Sequence, residues 1–144
     1  MAVPGISGLD HLVLTVSSID VTCAFYARAL GCEEVRFGRG RRGLSCGSVR
    51  INLRQAEQVV EPRAAAPTPG SADLCFVTVE GLNTIASHLA AHDIPIILGP
   101  VVRNGAKGAM RSLYFREPDG NLIEIGHYDG GRQARAAPLS EGSS

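Results

Sequence analysis

The feature that most restricts how this chain can fold is a repeated order of elements. Hydrophobic periodicity predicts a strand, a helix and three more strands before a proline-rich break, then the same order after it. His11–Val16 (HLVLTV) is short, apolar and β-branched, as a buried strand requires. Ser17, Ser18 and Asp20 then supply N-cap chemistry, CAFYARAL follows at helical spacing, and Leu30-Gly31 closes the helix as a glycine C-cap would. Three short strands are expected over 34–37, 44–46 and 49–54, with the glycines and arginines of 38–43 as a turn. Residues 55–70 (QAEQVVEPRAAAPTPG) carry three prolines and no periodic face, and are expected to be a linker.

Order returns with a strand over 73–79, a helix over 82–92 and an extended stretch over 95–102. A final hairpin is expected from 110–115 and 121–127, turned by Pro118-Asp119-Gly120, where proline fixes φ and glycine tolerates the tight geometry. The opening strands align as Asp10-His11-Leu12-Val13-Leu14-Thr15-Val16 against Asp73-Leu74-Cys75-Phe76-Val77-Thr78-Val79. The closing strands align as Arg50-Ile51-Asn52-Leu53 against Leu122-Ile123-Glu124-Ile125. Valine-rich strands do resemble one another by chance, but matching element order makes chance the poorer explanation. Two half-domains, each exposing a sheet face, must share a core or enclose a cavity.

The 144 residues amount to one domain, with an N-terminal arm expected over 1–7 and a disordered tail over 129–144. Fourteen basic residues balance fourteen acidic ones, which removes the electrostatic argument for nucleic acid or a membrane surface as partner. There is no apolar run of bilayer length and no signal-like N-terminus, so a cytoplasmic protein is expected. Cys23, Cys32, Cys46 and Cys75 show no metal-finger spacing and read as small, apolar, reduced residues.

Strand alternation sorts side chains by face. Leu12, Leu14, Val16, Ile51, Leu53, Leu113, Phe115, Ile123 and Ile125 are assigned to the helix-packed core. The opposite face carries His11, Asn52, Ser112, Tyr114 and Glu124. That face suits a cup for a ligand or metal; the alternative is a merely solvated surface.

Gly8-Leu9-Asp10-His11-Leu12-Val13-Leu14-Thr15-Val16 with Phe25-Tyr26 and Leu30-Gly31 resembles the opening of vicinal oxygen chelate modules. Tyr114-Phe115-Arg116-Glu117-Pro118-Asp119-Gly120-Asn121-Leu122-Ile123-Glu124 resembles their close. Pro69 to Phe76 and Ile51-Asn52-Leu53 are similar to the glyoxalase domain-containing protein 5 group. The resemblance implies an α+β fold of the glyoxalase, bleomycin-resistance and dioxygenase superfamily. In that fold two βαβββ modules form a curved, half-open mixed β-barrel. The single domain would span 8–128, with module one at 8–54, the linker at 55–70 and module two at 71–128.

Enzymes of this superfamily hold a divalent metal (Zn, Ni, Mn or Fe) that chelates vicinal oxygens of a small substrate. Carried over residue by residue, the ligands are His11 and Glu124, with Glu124 also the catalytic base. Leu74 falls where a second histidine is expected, and Asn52 where a glutamate occurs. The resemblance places Asn52, Ser112 and Tyr114, with Arg111 alongside, against the substrate, and implies a homodimer. His88 and His92 lie four apart on the second helix and read as solvated, and His127 is out of phase with Glu124. Two functions remain: a metal-dependent lyase, isomerase or dioxygenase-like enzyme, or a metal-free protein that sequesters a small molecule.

Overall fold

The computed structural model describes residues 4–129; residues 1–3 of the expected arm and 130–144 of the expected tail lie outside the described residues. The chain divides into two compact units between Ser71 and Ala72.

In module one, β1 (His11–Val16) leads to α1 (Ile19–Leu30), then β2 (Glu33–Phe37), β3 (Arg41–Cys46) and β4 (Val49–Gln55). The sheet order is β1-β4-β3-β2, with β1 parallel to β4 and the other pairs antiparallel. The helix begins where the sequence predicts. The Ser18 side chain accepts from the Val21 N–H at 3.2 Å, and Gly31 at φ 71° returns its own N–H to the Ala27 carbonyl at 3.0 Å. Packed across β2, β3 and β4, α1 buries Cys23, Phe25, Tyr26 and Ala29. Leu14, Val16, Leu44, Ile51 and Leu53 are buried from the sheet, which confirms the assignment of even positions on β1 and odd positions on β4 to the core. Arg42 clamps the assembly from outside, donating to Glu34 at 2.6 Å and to Asp20 at 2.7 Å.

One cysteine expectation is corrected. Cys32 and Cys46 are joined in a disulfide, while Cys23 and Cys75 are free thiols. The pairing follows from the hairpin: Glu33 sits opposite Ser45, so the next pair along the ladder is Cys32 and Cys46, with Cα atoms 4.7 Å apart.

Module two repeats the order with β5 (Asp73–Val77), α2 (Leu82–Ala91), β6 (Leu98–Gly105), β7 (Gly108–Arg116) and β8 (Leu122–His127), arranged β5-β8-β7-β6. Both modules are therefore βαβββ units with open four-stranded mixed sheets. Helix α2 packs on β7, and Leu82, Leu89, Leu113, Phe115, Ile123 and Ile125 are buried. The extended stretch lies later than expected, and the β6 register shifts between Leu98 and Val101. Gly99 sits there at φ 112°, and a Cβ on it would stand 2.5 Å from the Ser112 carbonyl oxygen.

The β7–β8 turn is held by more than Pro118-Asp119-Gly120. Glu117 is 3% exposed, and its Oε1 accepts from the N–H groups of Asp119 at 2.8 Å and Asn121 at 3.1 Å. Asn121 Oδ1 in turn accepts from the Ala72 N–H at 2.7 Å, tying the turn to the start of β5. Glu117→Ala strands buried donors, and a loss of about 1–3 kcal/mol is expected in urea denaturation. Among the described residues no helix is long and apolar enough to cross a membrane.

Candidate functional site

Strand register lines up the side chains of each sheet in rows. In module two, Cys75 of β5 pairs with Glu124 of β8, Glu124 with Tyr114 of β7, and Tyr114 with Leu98 of β6. In module one the row running β1-β4-β3-β2 is Val13, Asn52, Gly43 and Val35. Asn52 and Glu124 correspond, as the closing-strand alignment expects.

The opening strands do not correspond as aligned. With Val13 beside Asn52 and Cys75 beside Glu124, the counterpart of His11 is Asp73, and Leu74 is one place out. Leu74 pairs with Ile123 on the core side, whereas Asp73 and Cys75 are exposed on the other face. The position read as a lost ligand therefore holds a carboxylate.

A cavity of about 430 Å³ opens on this face of module two, lined by Asp73, Ile97, Leu98, Arg103, Tyr114, Arg116, Leu122 and Glu124. Tyr114 is 6% exposed, and its hydroxyl oxygen accepts from Arg103 Nε at 2.8 Å. The guanidinium carbon lies 5.4 Å from the centre of the Tyr114 ring, within cation–π range. Burial, reinforced by the Glu124 charge and offset by Arg103, pushes the Tyr114 phenol up. Burial and the same carboxylate push the Cys75 thiol up to about 11. At neutral pH Glu124 is thus flanked in its row by two protonated groups.

The other expected site residues lie differently. Ser112 is fully buried with its Oγ unpartnered, and it is not part of the cavity wall. Its face is filled there: a Cβ on the facing Gly126 would collide with Met110 Cε and come within 3.2 Å of Ser112 Oγ. Arg111 is exposed and alternates onto the Leu113 side of β7. In module one, His11 is half-exposed with its Nδ1 2.8 Å from Asp10 Oδ2. That hydrogen bond, and then the imidazole charge, hold the Asp10 carboxyl below its usual range. Asn52 is 5% exposed, with a buried Oδ1 that has no partner. Arg103 was not anticipated, because the extended stretch was read as ending at Val102. Alternation from Val101, which faces Ser112, would have brought Arg103 onto the Tyr114 face.

These donors fit a divalent cation in kind. In module one, Asp10 on Nδ1 leaves His11 Nε2 for ligation and the Asn52 carbonyl is unclaimed; in module two, Asp73 and Glu124 are carboxylates on one sheet face. They do not reach the number: among the described residues no three His, Cys, Asp or Glu side chains gather as one group.

Residues 8–125 match the family model of the Glyoxalase/Bleomycin resistance protein/Dioxygenase superfamily. The virulence protein STM3117 of Salmonella typhimurium is 50% identical over 123 residues, 85% of each chain. Its crystal structure superposes with a TM-score of 0.84, covering 86% of this chain and 98% of that one. The glyoxalase domain-containing protein RDO1 of Mycosarcoma maydis is 47% identical over 123 residues, 85% of this chain and 69% of that one. Two structures share the fold alone. Lactoylglutathione lyase from Agrobacterium tumefaciens is 21% identical with TM-score 0.65, covering 85% of this chain and 95% of that one. The antibiotic-binding protein TnmS3 from Streptomyces is 19% identical with TM-score 0.66, covering 85% and 97%. With its two βαβββ modules and a family match over most of its length, the chain belongs to the glyoxalase/bleomycin resistance protein/dioxygenase superfamily.

Proposed function

We propose that this chain is a metal-dependent enzyme, a glyoxalase-type lyase or isomerase or a dioxygenase-like relative, acting on a small oxygenated molecule in the module-two cavity. The observation that carries this reading is Glu124, placed between Cys75 and Tyr114 in one sheet row and lining the cavity. Asp73, in the place equivalent to His11, adds a second carboxylate on the same face.

In this reading His11 and Glu124, the two positions the family resemblance implies, would be the metal ligands, and Asp73 would add an oxygen donor on the Glu124 face. A bound divalent cation supplies Lewis acidity towards vicinal substrate oxygens. The chain supplies the rest. Glu124 accepts a proton from the carbon beside a carbonyl. The Tyr114 hydroxyl, its oxygen engaged by Arg103, keeps its own proton to donate to a substrate oxygen. Ile97, Leu98 and Leu122 supply the apolar side of the cavity.

We place the chain in the cytoplasm and read it as a homodimer. Exposed Ile6, Leu9 and Val13 in module one, and separately Val77 and Val79 in module two, are apolar side chains for a second copy to cover. Placement nearest the glyoxalase domain-containing protein 5 group rests on the Pro69–Phe76 and Ile51-Asn52-Leu53 motifs.

Metal-free binding of a small molecule is the second reading, favoured by the absence of a three-donor group among the described residues. Elemental analysis of protein purified without chelator or metal-affinity resin separates the two. Close to one equivalent of a transition metal, lost in both His11→Ala and Glu124→Ala, is the expected result. Traces that do not rise on reconstitution would leave only the binder.

A further inference from the structure

Arg103 is the wall residue that the chemistry above uses least. Its Nε donates to the Tyr114 hydroxyl at 2.8 Å and one Nη to the Val102 carbonyl at 3.3 Å, both neutral acceptors. None of the ion pairs among the described residues includes Arg103 or the second arginine of the wall, Arg116. A guanidinium carries five N–H donors, so Arg103 keeps the larger part of its fork unspent while the Tyr114 ring fixes its plane. Arg103 is half-buried and bonds only to neutral oxygens, with no carboxylate of the described residues at ion-pair distance. The carboxylates of the same wall, Asp73 and Glu124, are the groups assigned to the cation.

We propose that the ligand of the module-two cavity is a small organic acid, and that Arg103 is the specificity-determining residue that takes its anionic group. Resting on the small-molecule reading of this cavity, the proposal deepens it by naming the substrate class. A charge-assisted bond from the free Nη donors supplies the counter-charge that Arg103 lacks. Arg116, on the same face of β7 beside Leu122, adds positive potential. Ile97, Leu98 and Leu122 call for a short hydrocarbon body, and about 430 Å³ admits a metabolite-sized molecule. An oxygen next to the acid group would then face the Glu124 row.

Calorimetry with matched probes tests this: 2-hydroxy-4-methylpentanoate and 2-hydroxybenzoate, each against its own amide, which keeps the shape and removes the charge. The wild-type chain is expected to bind each acid about tenfold or more tighter than its amide, with the preference weakening as salt rises. Arg103→Met should bring the acids to the level of the amides, whereas Arg103→Lys should recover part of the preference as a point charge. Tyr114→Phe, which removes the hydroxyl that fixes Nε, should lower the preference several-fold and decides the matter if Arg103→Met does not fold. Equal binding of acid and amide by the wild type overturns the proposal alone, as does a preference that survives Arg103→Met. Binding of neither class overturns both the proposal and the small-molecule reading of the cavity.

Discussion

Glu124→Gln is expected to lower turnover of any substrate by about 10²–10⁴-fold while leaving the fold in place. Glutamine keeps the size and the hydrogen-bonding reach of the side chain, so its neighbours Cys75 and Tyr114 can stay packed. What it removes is the charge, and with it the base and the carboxylate ligand. The substitution also has a readout that needs no substrate. Glu124 helps to push the Cys75 thiol up to about 11, after burial. Removing a negative neighbour eases formation of the thiolate, so the Cys75 ionisation must move down. In chelator-treated protein, the pH midpoint of Cys75 alkylation, followed by mass spectrometry, is expected near 11 in the wild type and lower in Glu124→Gln. An unchanged midpoint would mean that the two side chains do not share a row.

The largest effect on stability is expected one strand over and on the opposite face. Phe115 is fully buried on β7 opposite Ile123, on the side where α2 packs. Phe115→Ala removes a ring from a close-packed layer that relaxes only in part, and a loss of about 3–5 kcal/mol is expected. For a domain of this size that is about a fifth or more of a typical total of roughly 5–15 kcal/mol. Chemical denaturation gives the number, and Tyr114→Phe is the control. One residue away but facing the cavity, Tyr114→Phe gives up only a hydroxyl and should cost no more than about 1.5 kcal/mol. A comparable loss in both variants would contradict the division of β7 into a core face and a cavity face.

How much was legible in the sequence depended on whether a signal was local. Ser18 and Gly31 mark α1 because caps are made within one turn of the chain. The core faces of β1, β4, β7 and β8 were legible because buried apolar residues alternate along a single strand. Register was not legible, because it is set by a partner strand distant in sequence. DLCFVTV alternates acceptably in either phase, and the pairing of Cys75 with Glu124 decides that Asp73 matches His11. The Cys32–Cys46 bond was missed for the same reason, since β2 and β3 bring together residues 14 apart. Ser112 was placed on the correct face, but the sequence could not show that Met110 fills that end of it. Arg103 lay one residue beyond the extended stretch as first bounded. Face and residue type are thus legible along β1 and β8, and pairing is illegible wherever two strands had to be set against each other.

The two sheet rows also bear on how such a chain divides its labour. Where module two sets Tyr114 beside Glu124, module one sets Gly43 beside Asn52. A Cβ at Gly43 would come within 2.9 Å of the Ile51 carbonyl and 3.1 Å of Asn52 Oδ1, so no larger side chain fits without moving the backbone. The first half cannot be converted into a copy of the second by restoring two side chains, because its strands have closed over the space the tyrosine would need. The two modules are equivalent frames. One keeps an open space at this position, and the other closes it by contact between its own strands.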